Sequence, residues 1–576
     1  MIQTRAPQSD WNSRLPVFLL EIEWGARTYR FATKTVNITK GNDTLQYLGK
    51  LDEFEYNIEL QRFGYDGEGD SIPFAINFDT DVSKAHADGN PIDGAVGELS
   101  FVLEAFDGEI LQNHSQRIVI YRGVVSNPVF GHPNEPEGYI EFSLETKAII
   151  ERVSLLDEVV GTNGRVDAAD LSNEDKAASS PFTVVISDDI IDVDEVHRGK
   201  RSPIVIGKPG KIIGRTSSVT LTTIPMSPAY AIAYSNSIPA GMPLFLQIAG
   251  HQVKSSTVTI FDSKGNSETA PVGTFVGSQN NIFSYATVDF HPSTTLQSAV
   301  ADNTIEYWVA WIDDGGGGIP SPFSDGVLEN GGEICLWALT YTGTDIDYDA
   351  WYSILPLLKS YKFAGFINDP DIEPLQFIES EILPFLPISI VMGPKGLKPI
   401  PNLRILGGKL DNDFGIVAGS NWKRSSPIFS PTSMGEIINQ VDISYAKNGR
   451  SDSYLGTVRI TPEPRGRKYE YTNDYSFTSY RLFGKKSASF ECNFVYDYMT
   501  ANQIARDKIR EFALPKRTIE YEVSPPFGFM EIGDIIGLTD SEIHLEDVKS
   551  QVIAKRWTGS NWIFTLEIED NKIINR

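Results

Sequence analysis

The stretch FMEIGDIIGLT (529–539) places a Gly-Asp pair between two short apolar runs. A carboxylate there could be a general acid, or it could be the polar corner of a tight turn. Acid catalysis needs a base, nucleophile or metal ligand within reach, and the sequence around Asp534 supplies none. Gly533 can take the positive φ that a tight turn requires. Asp534 can bond nearby backbone N–H groups in an Asx-type turn. Met530, Ile532, Ile535 and Leu538 offer core contacts on either side. The pair is therefore expected to be a corner between strands, with no catalytic role for Asp534.

Other candidate chemistry fails on spacing. A phosphate-binding loop needs G-x-x-x-x-G-K-[ST]. With Gly210 and Lys211 of GKPGKIIG (207–214) as the G-K pair, the first Gly is replaced by Val205, five residues upstream of Gly210, and the hydroxyl residue by Ile212; for FGKKS the first Gly is replaced by Ser479. Asp345, Asp347 and Asp349 begin a calcium-loop pattern, but its sixth and twelfth positions hold Ala350 and Pro356 instead of Gly and Glu. They are expected to form the acidic first turn of a helix, complementing its dipole. The acidic groups Asp188, Asp189, Asp192, Asp194 and Glu195, and Asp66, Glu68 and Asp70 in a Gly-rich turn, have the residue types to bind a cation, but are expected to be solvated faces or subunit-contact patches. GDS (69–71) matches three residues of a serine-esterase pattern with nothing downstream in support. The scattered histidines His86, His114, His132, His197, His251, His291 and His544 have no metal-binding spacing. Cys335 and Cys492 cannot build a disulfide framework or a zinc cluster. No cofactor, metal or catalytic set is expected. Paired carboxylates for glycoside cleavage need no motif, so an acidic chain always offers candidates.

The elements that would hold these residues are mostly strands. Residues 1–150 read as an N-terminal β domain, from EIEWGARTYRFAT through GYIEFSLET, with KTVNITKGNDTLQYLG as a hairpin. Residues 151–200 read as a linker with connecting strands, and 201–335 as a middle β domain in which DDGGGGIPSP (313–322) is a loop. Residues 336–400 read as a small α+β insert. Residues 401–576 return to strands around one clear helix. Thr500 and Gln503 have the spacing of a capping box at its start. Ile504, Ala505, Ile509, Phe512 and Ala513 form its apolar stripe, and Pro515 ends it. In RTIEYEVS, Ile519, Tyr521 and Val523 alternate with Glu520 and Glu522. The expected fold is mainly β, multidomain, with barrel-like or sandwich domains and a smaller α+β insert.

Length and composition agree with that reading. A chain of 576 residues is too long for one core. Hydrophobic content of 41% with 22% charged residues fits packed domains. A net charge of −26 argues against gripping nucleic-acid phosphates, though not against a conduit through which DNA slides. No apolar run approaches the ~18 residues of a membrane-spanning helix, and no secretory signal or stable membrane insertion is expected.

The order of pieces in the C-terminal third is specific. IINQVDISY (437–445) comes first, then YSFTSYRLFGKK (475–486) ahead of a strand. TANQIARDKIREFALPKRTIEYEV follows, and then MEIGDIIGLTD (530–540) with two Val-, Ile- and Trp-rich strands. This order resembles the central hub proteins of bacteriophage tail tips and baseplates, in which similar strand–helix–strand–GD modules close a barrel-like domain. YRFATKTVNI, GVVSNP and SPIVIGKPG look similar to the upstream part of such proteins. The resemblance implies a non-enzymatic virion protein at the tail tip, assembled in the host bacterial cytoplasm as a homotrimer. Its implied partners are the tail tube or distal tail protein, the tape measure protein, and tip spike or fibre proteins, with DNA passing through its lumen at ejection. Two other functions stay open in the sequence: a distal-tail or receptor-binding protein contacting the host surface, and a tail-associated glycan hydrolase.

Overall fold

The computed structural model describes residues 16–145, 203–209, 227–311 and 317–569, with internal gaps. The expected linker at 151–200, both acidic groups at 66–70 and 188–195, and most of GDS lie outside the described residues. The fold is mainly β.

The N-terminal sheet has six strands, in the order Arg27–Ala32, Pro16–Trp24, Val96–Leu103, Ile118–Phe130, Tyr139–Glu145 and Ile72–Asn77. The first part of Pro16–Trp24, from Pro16 to Leu20, is apolar at every position because both faces of the strand are covered there. Phe18, Leu20 and Ile22 enter the main core, while Val17 and Leu19 pack with Ala32, Val36, Ile38, Tyr47 and Val102 in a smaller cluster. The outer cover is the expected hairpin, Val36–Lys40 with Asp43–Tyr47, turning at Gly41.

The middle segment closes a six-stranded barrel from the strands between Ser227–Ala231 and Tyr307–Ala310. Leu246, Ile248, Val258, Ile260, Ala286 and Val309 form its core. Strand Ile204–Ile206 does not join the barrel; it pairs with Gly365–Ile367 in the α+β part of the chain. That part begins at the buried helix Gly331–Leu339, capped by Asn330, whose side chain accepts from Gly332 N–H at 2.9 Å. Helix Tyr348–Ile354 starts at Asp347, which accepts from Ala350 N–H at 3.1 Å, with Asp349 in its first turn. The aspartate triplet thus supplies a cap and a dipole partner, as expected.

The C-terminal segment holds two sheets. The larger orders Phe414–Val417, Ile535–Asp540, Leu545–Trp557, Trp562–Ile568, Thr518–Val523 and Trp422–Arg424, and Leu545–Trp557 also pairs with Asn57–Glu59. The smaller orders Ser453–Ile460, Gln440–Asn448 and Ser487–Glu491. Helix Tyr498–Phe512 buries Ile504, Ala505 and Ile509.

Two expectations are corrected here. The helix does not start in a Thr500–Gln503 capping box. Its N-cap is Asp497, which accepts from Met499 and Thr500 N–H at 3.1 and 3.2 Å. An aspartate is at least as strong a cap as threonine, and it gains the extra helical turn. The second correction is the helix Asp474–Phe483, which makes Tyr498–Phe512 one of several helices in this segment.

Candidate functional site

Gly533 and Asp534 sit in a tight turn leading into strand Ile535–Asp540. Asp534 N–H donates to Glu531 O at 3.2 Å, and Glu531 N–H donates to Asp534 Oδ2 at 2.8 Å. The expected side-chain bond is present, although it reaches back three residues, not forward as in an Asx turn. Gly533 has φ +94°, and a Cβ there would stand 2.4 Å from Ile400 Cδ1. Glycine is therefore required both by conformation and by close approach. Gly533 N–H donates to Val552 O at 2.8 Å, and Gln551 Nε2 bridges Gly533 O and Pro401 O at 3.2 and 2.9 Å. The corner is thereby tied to the adjacent strand and to the hairpin Ile388–Gly393 with Gly396–Pro401.

Charges gather around this corner. Lys398 Nζ pairs with Glu531 Oε2 at 2.5 Å. Lys555 Nζ donates to Gly528 O at 2.6 Å and Met530 O at 3.0 Å, and lies 4.4 Å from the centre of the Trp562 ring. Asp413 Oδ2 accepts from Ile535 N–H at 2.8 Å. Burial pushes the Asp534 carboxyl up to about 7, against the pull of Lys398. Burial brings the Lys555 ammonium down to about 7, against the pull of Glu531 and Asp534. Burial alone would lower Lys398, but the Glu531 and Asp534 carboxylates outweigh it and hold it above its ordinary value. Perturbed groups of this kind often mark active sites. Here space decides otherwise. The cavity lined by Lys398, Glu531 and Lys555 has a volume of about 20 Å³, room for about one water and no substrate. The cluster is an internal clasp.

Thr500 and Gln503 work at another seam. Thr500 Oγ1 accepts from Lys362 N–H at 3.3 Å, and its one proton has two acceptors in reach, Asp497 Oδ2 at 3.1 Å and Ser360 O at 3.3 Å. Gln503 Nε2 reaches forward to Asp507 Oδ1 at 2.9 Å, and Tyr361 O–H donates to Asp507 Oδ2 at 2.5 Å. Burial lifts Asp507 to about 6. Thr500 thus fastens the helix to residues 360–362 directly, and Gln503 does so through Asp507, the carboxylate that Tyr361 binds.

Sequence reasoning missed Lys555, Lys398, Tyr361 and Asp507. Lys555 follows a register shift between Val552 and Ala554. That bulge inverts the in–out alternation, so the lysine points inward where simple counting puts it outward.

A larger cleft of about 850 Å³ lies between the N-terminal sheet and the hairpin tip at Thr558, Gly559 and Ser560, floored by Phe18, Phe54 and Trp557. Asp52 is the one carboxylate among the described residues lining it, whereas glycoside cleavage uses two. Among the described residues, no group of three or more His, Cys, Asp or Glu could hold a metal ion, and no helix is long and apolar enough to cross a membrane.

No family model matches the chain, and no curated protein matches it. Solved structures do align. A tail protein from Neisseria meningitidis MC58 has 8% identity and TM-score 0.33, covering 96% of this chain and 97% of that one. The 43 kDa tail protein of prophage MuSo2 from Shewanella oneidensis has 8% identity and TM-score 0.29, with the same coverage. A chain of the virion of a native gene transfer agent particle has 12% identity and TM-score 0.31, over 67% of this chain and 88% of that one. These scores are too low to carry a fold or a role across.

Proposed function

We propose that this chain is a structural virion protein without enzymatic activity, the central hub of a bacteriophage tail tip or baseplate. The supporting observation is the C-terminal module. Strand Gln440–Asn448, helix Tyr498–Phe512, strand Thr518–Val523, the Gly533–Asp534 corner and the closing hairpin follow one another in the order of the hub resemblance. Its buried charges face a clasp and not a substrate cavity. In this reading three copies join the tail tube or distal tail protein to the tip, beside the tape measure protein and the spike or fibre proteins. Closed rotational symmetry limits growth, and an acidic lumen repels DNA phosphates so that the genome slides.

Imaging of isolated tails tests the proposal. Three copies at the tip support it, and one or six copies defeat it. Deleting the gene should abolish assembled tails; tails that assemble but fail to adsorb would favour a receptor-binding role instead.

A further inference from the structure

The helix Asp474–Phe483 is built inside out. Ser476 and Ser479 are fully buried, while Phe477, Tyr480 and Leu482 are 42%, 36% and 63% exposed. The polar side is held inward by Asn439: Ser476 Oγ donates to Asn439 O at 2.6 Å, and Asn439 Nδ2 donates to Ser479 Oγ at 3.1 Å and to Gly484 O at 2.7 Å. A helix free in water turns its apolar stripe to the core and its serines to solvent. The reversal here leaves an aromatic and aliphatic face with no cover from the described residues, the pattern of an interaction surface. Just beyond it, strand Ser487–Glu491 is an edge of the three-stranded sheet, with backbone groups open to pairing.

Charge identifies the occupant. Arg481 and Lys485 are exposed beside this face, in a chain of net charge −26. Two like chains of that net charge repel at a distance, so a second copy fits only where carboxylates stand beside an exposed apolar side chain, and one patch of the chain does so. Strand Phe414–Val417 is an edge of the larger C-terminal sheet, and its Val417 is 73% exposed. Val417 is in register with Thr539 on the neighbouring strand, and Thr539 Oγ1 accepts from Asp547 N–H at 3.1 Å. Glu546 and Asp547 are both exposed there. One patch is apolar and basic, on a helix beside an edge strand; the other is acidic beside the exposed Val417 of an edge strand.

We propose that the face of Phe477, Tyr480, Arg481, Leu482 and Lys485 docks on the Val417, Glu546 and Asp547 patch of a second copy of this chain. This rests on the self-assembly proposed above and gives it a contact. Because the two patches differ, the contact is head-to-tail, and it closes into a ring when the rotation permits.

The test uses the full chain, with oligomer mass measured by light scattering across concentration. Arg481→Glu with Lys485→Glu should weaken association by about tenfold or more, as should Glu546→Lys with Asp547→Lys; all four together should restore it. Reversals that leave an oligomeric wild type unchanged, or a quadruple variant that stays dissociated, overturn this contact and leave the hub reading standing. A single copy per tail overturns both. As a check independent of charge, Leu482→Cys mixed with Val417→Cys under an added mild oxidant, which takes up the two electrons and two protons of the thiols, should give a disulfide between copies, since Cys335 and Cys492 are buried. No cross-linked dimer from two soluble, folded variants also overturns the contact.

Discussion

Gly533 shows how one residue can be fixed by two independent constraints. Its φ of +94° excludes most side chains, and Ile400 occupies the place of a Cβ. Gly533→Ala should cost about 1–2 kcal/mol for the left-handed backbone and about 1–3 kcal/mol for overpacking. Hydrogen exchange should show this as local opening of strand Ile535–Asp540, and unchanged protection there would refute the account. Asp534 behaves differently, because an asparagine keeps an acceptor for Glu531 N–H. Asp534→Asn should fold and assemble normally. Its effect should be on pH dependence. The Asp534 carboxyl has an ordinary value of 3.8 and stands at about 7 in the fold. Below 3.8 both folded and unfolded states hold the proton. Between the two values only the folded state holds it, so this group's contribution falls as pH rises and stays low above about 7. The variant should lose that decline in unfolding midpoints; an identical decline in both proteins would show that another group causes it.

At the scale of elements, the helix Tyr498–Phe512 separates capping from clamping. Asp497→Ala should cost about 1 kcal/mol, the usual value of a side-chain cap. Thr500→Val should loosen residues 360–362, whose backbone groups bond Thr500 Oγ1, and should fray the helix start less than Asp497→Ala does, because it removes a bond to the capping carboxylate but leaves the cap itself in place. Hydrogen exchange resolves the two regions. Equal fraying of the helix start in both variants would return Thr500 to a capping role. These elements also show what can be read from the sequence. Ile519, Tyr521 and Val523 are buried and alternate with partly exposed glutamates, as the spacing in RTIEYEVS predicts. A strand with one wet face displays its period directly. The helix Asp474–Phe483 escapes the same test because its buried residues are serines, and periodicity measures where apolar side chains fall, not where the core is. The Gly533–Asp534 corner was legible from local chemistry. Its charged neighbours Lys398 and Lys555 arrive from strands far away in sequence, one of them through a bulge, and no local spacing encodes that meeting.

At the scale of the molecule, the N-terminal and C-terminal sheets share one core. Phe18 packs on Trp557 at 5.0 Å and Tyr56 on Trp562 at 5.5 Å, measured between ring centres. Strand Asn57–Glu59 enters the C-terminal sheet with Ile58 opposite Lys555. The ammonium of Lys555 lies at this seam, bonded to Gly528 O and Met530 O on the C-terminal side and set between the Trp562 ring and, across the seam, the Tyr56 ring at 5.4 Å. Lys555→Met keeps most of the side-chain length and removes both donors. Relief from burying an amine favours the variant, while two buried carbonyls without partners oppose it at about 1–3 kcal/mol each; the second effect should win. Exchange should quicken at Asn57–Glu59 and stay unchanged in the barrel strands, such as Thr257–Asp262, whose core is a separate cluster. The pH response has the opposite direction to that of Asp534. The ordinary lysine value is 10.5 and the folded one is about 7. Between them the unfolded chain holds a proton that the folded chain does not, so this group's contribution rises with pH over that interval and is flat below it. Melting temperatures of the wild type should gain this rise above neutral pH, and Lys555→Met should lack it. A rise of the same size in the variant, or exchange that quickens evenly through seam and barrel, would show that Lys555 does not clasp the two sheets together.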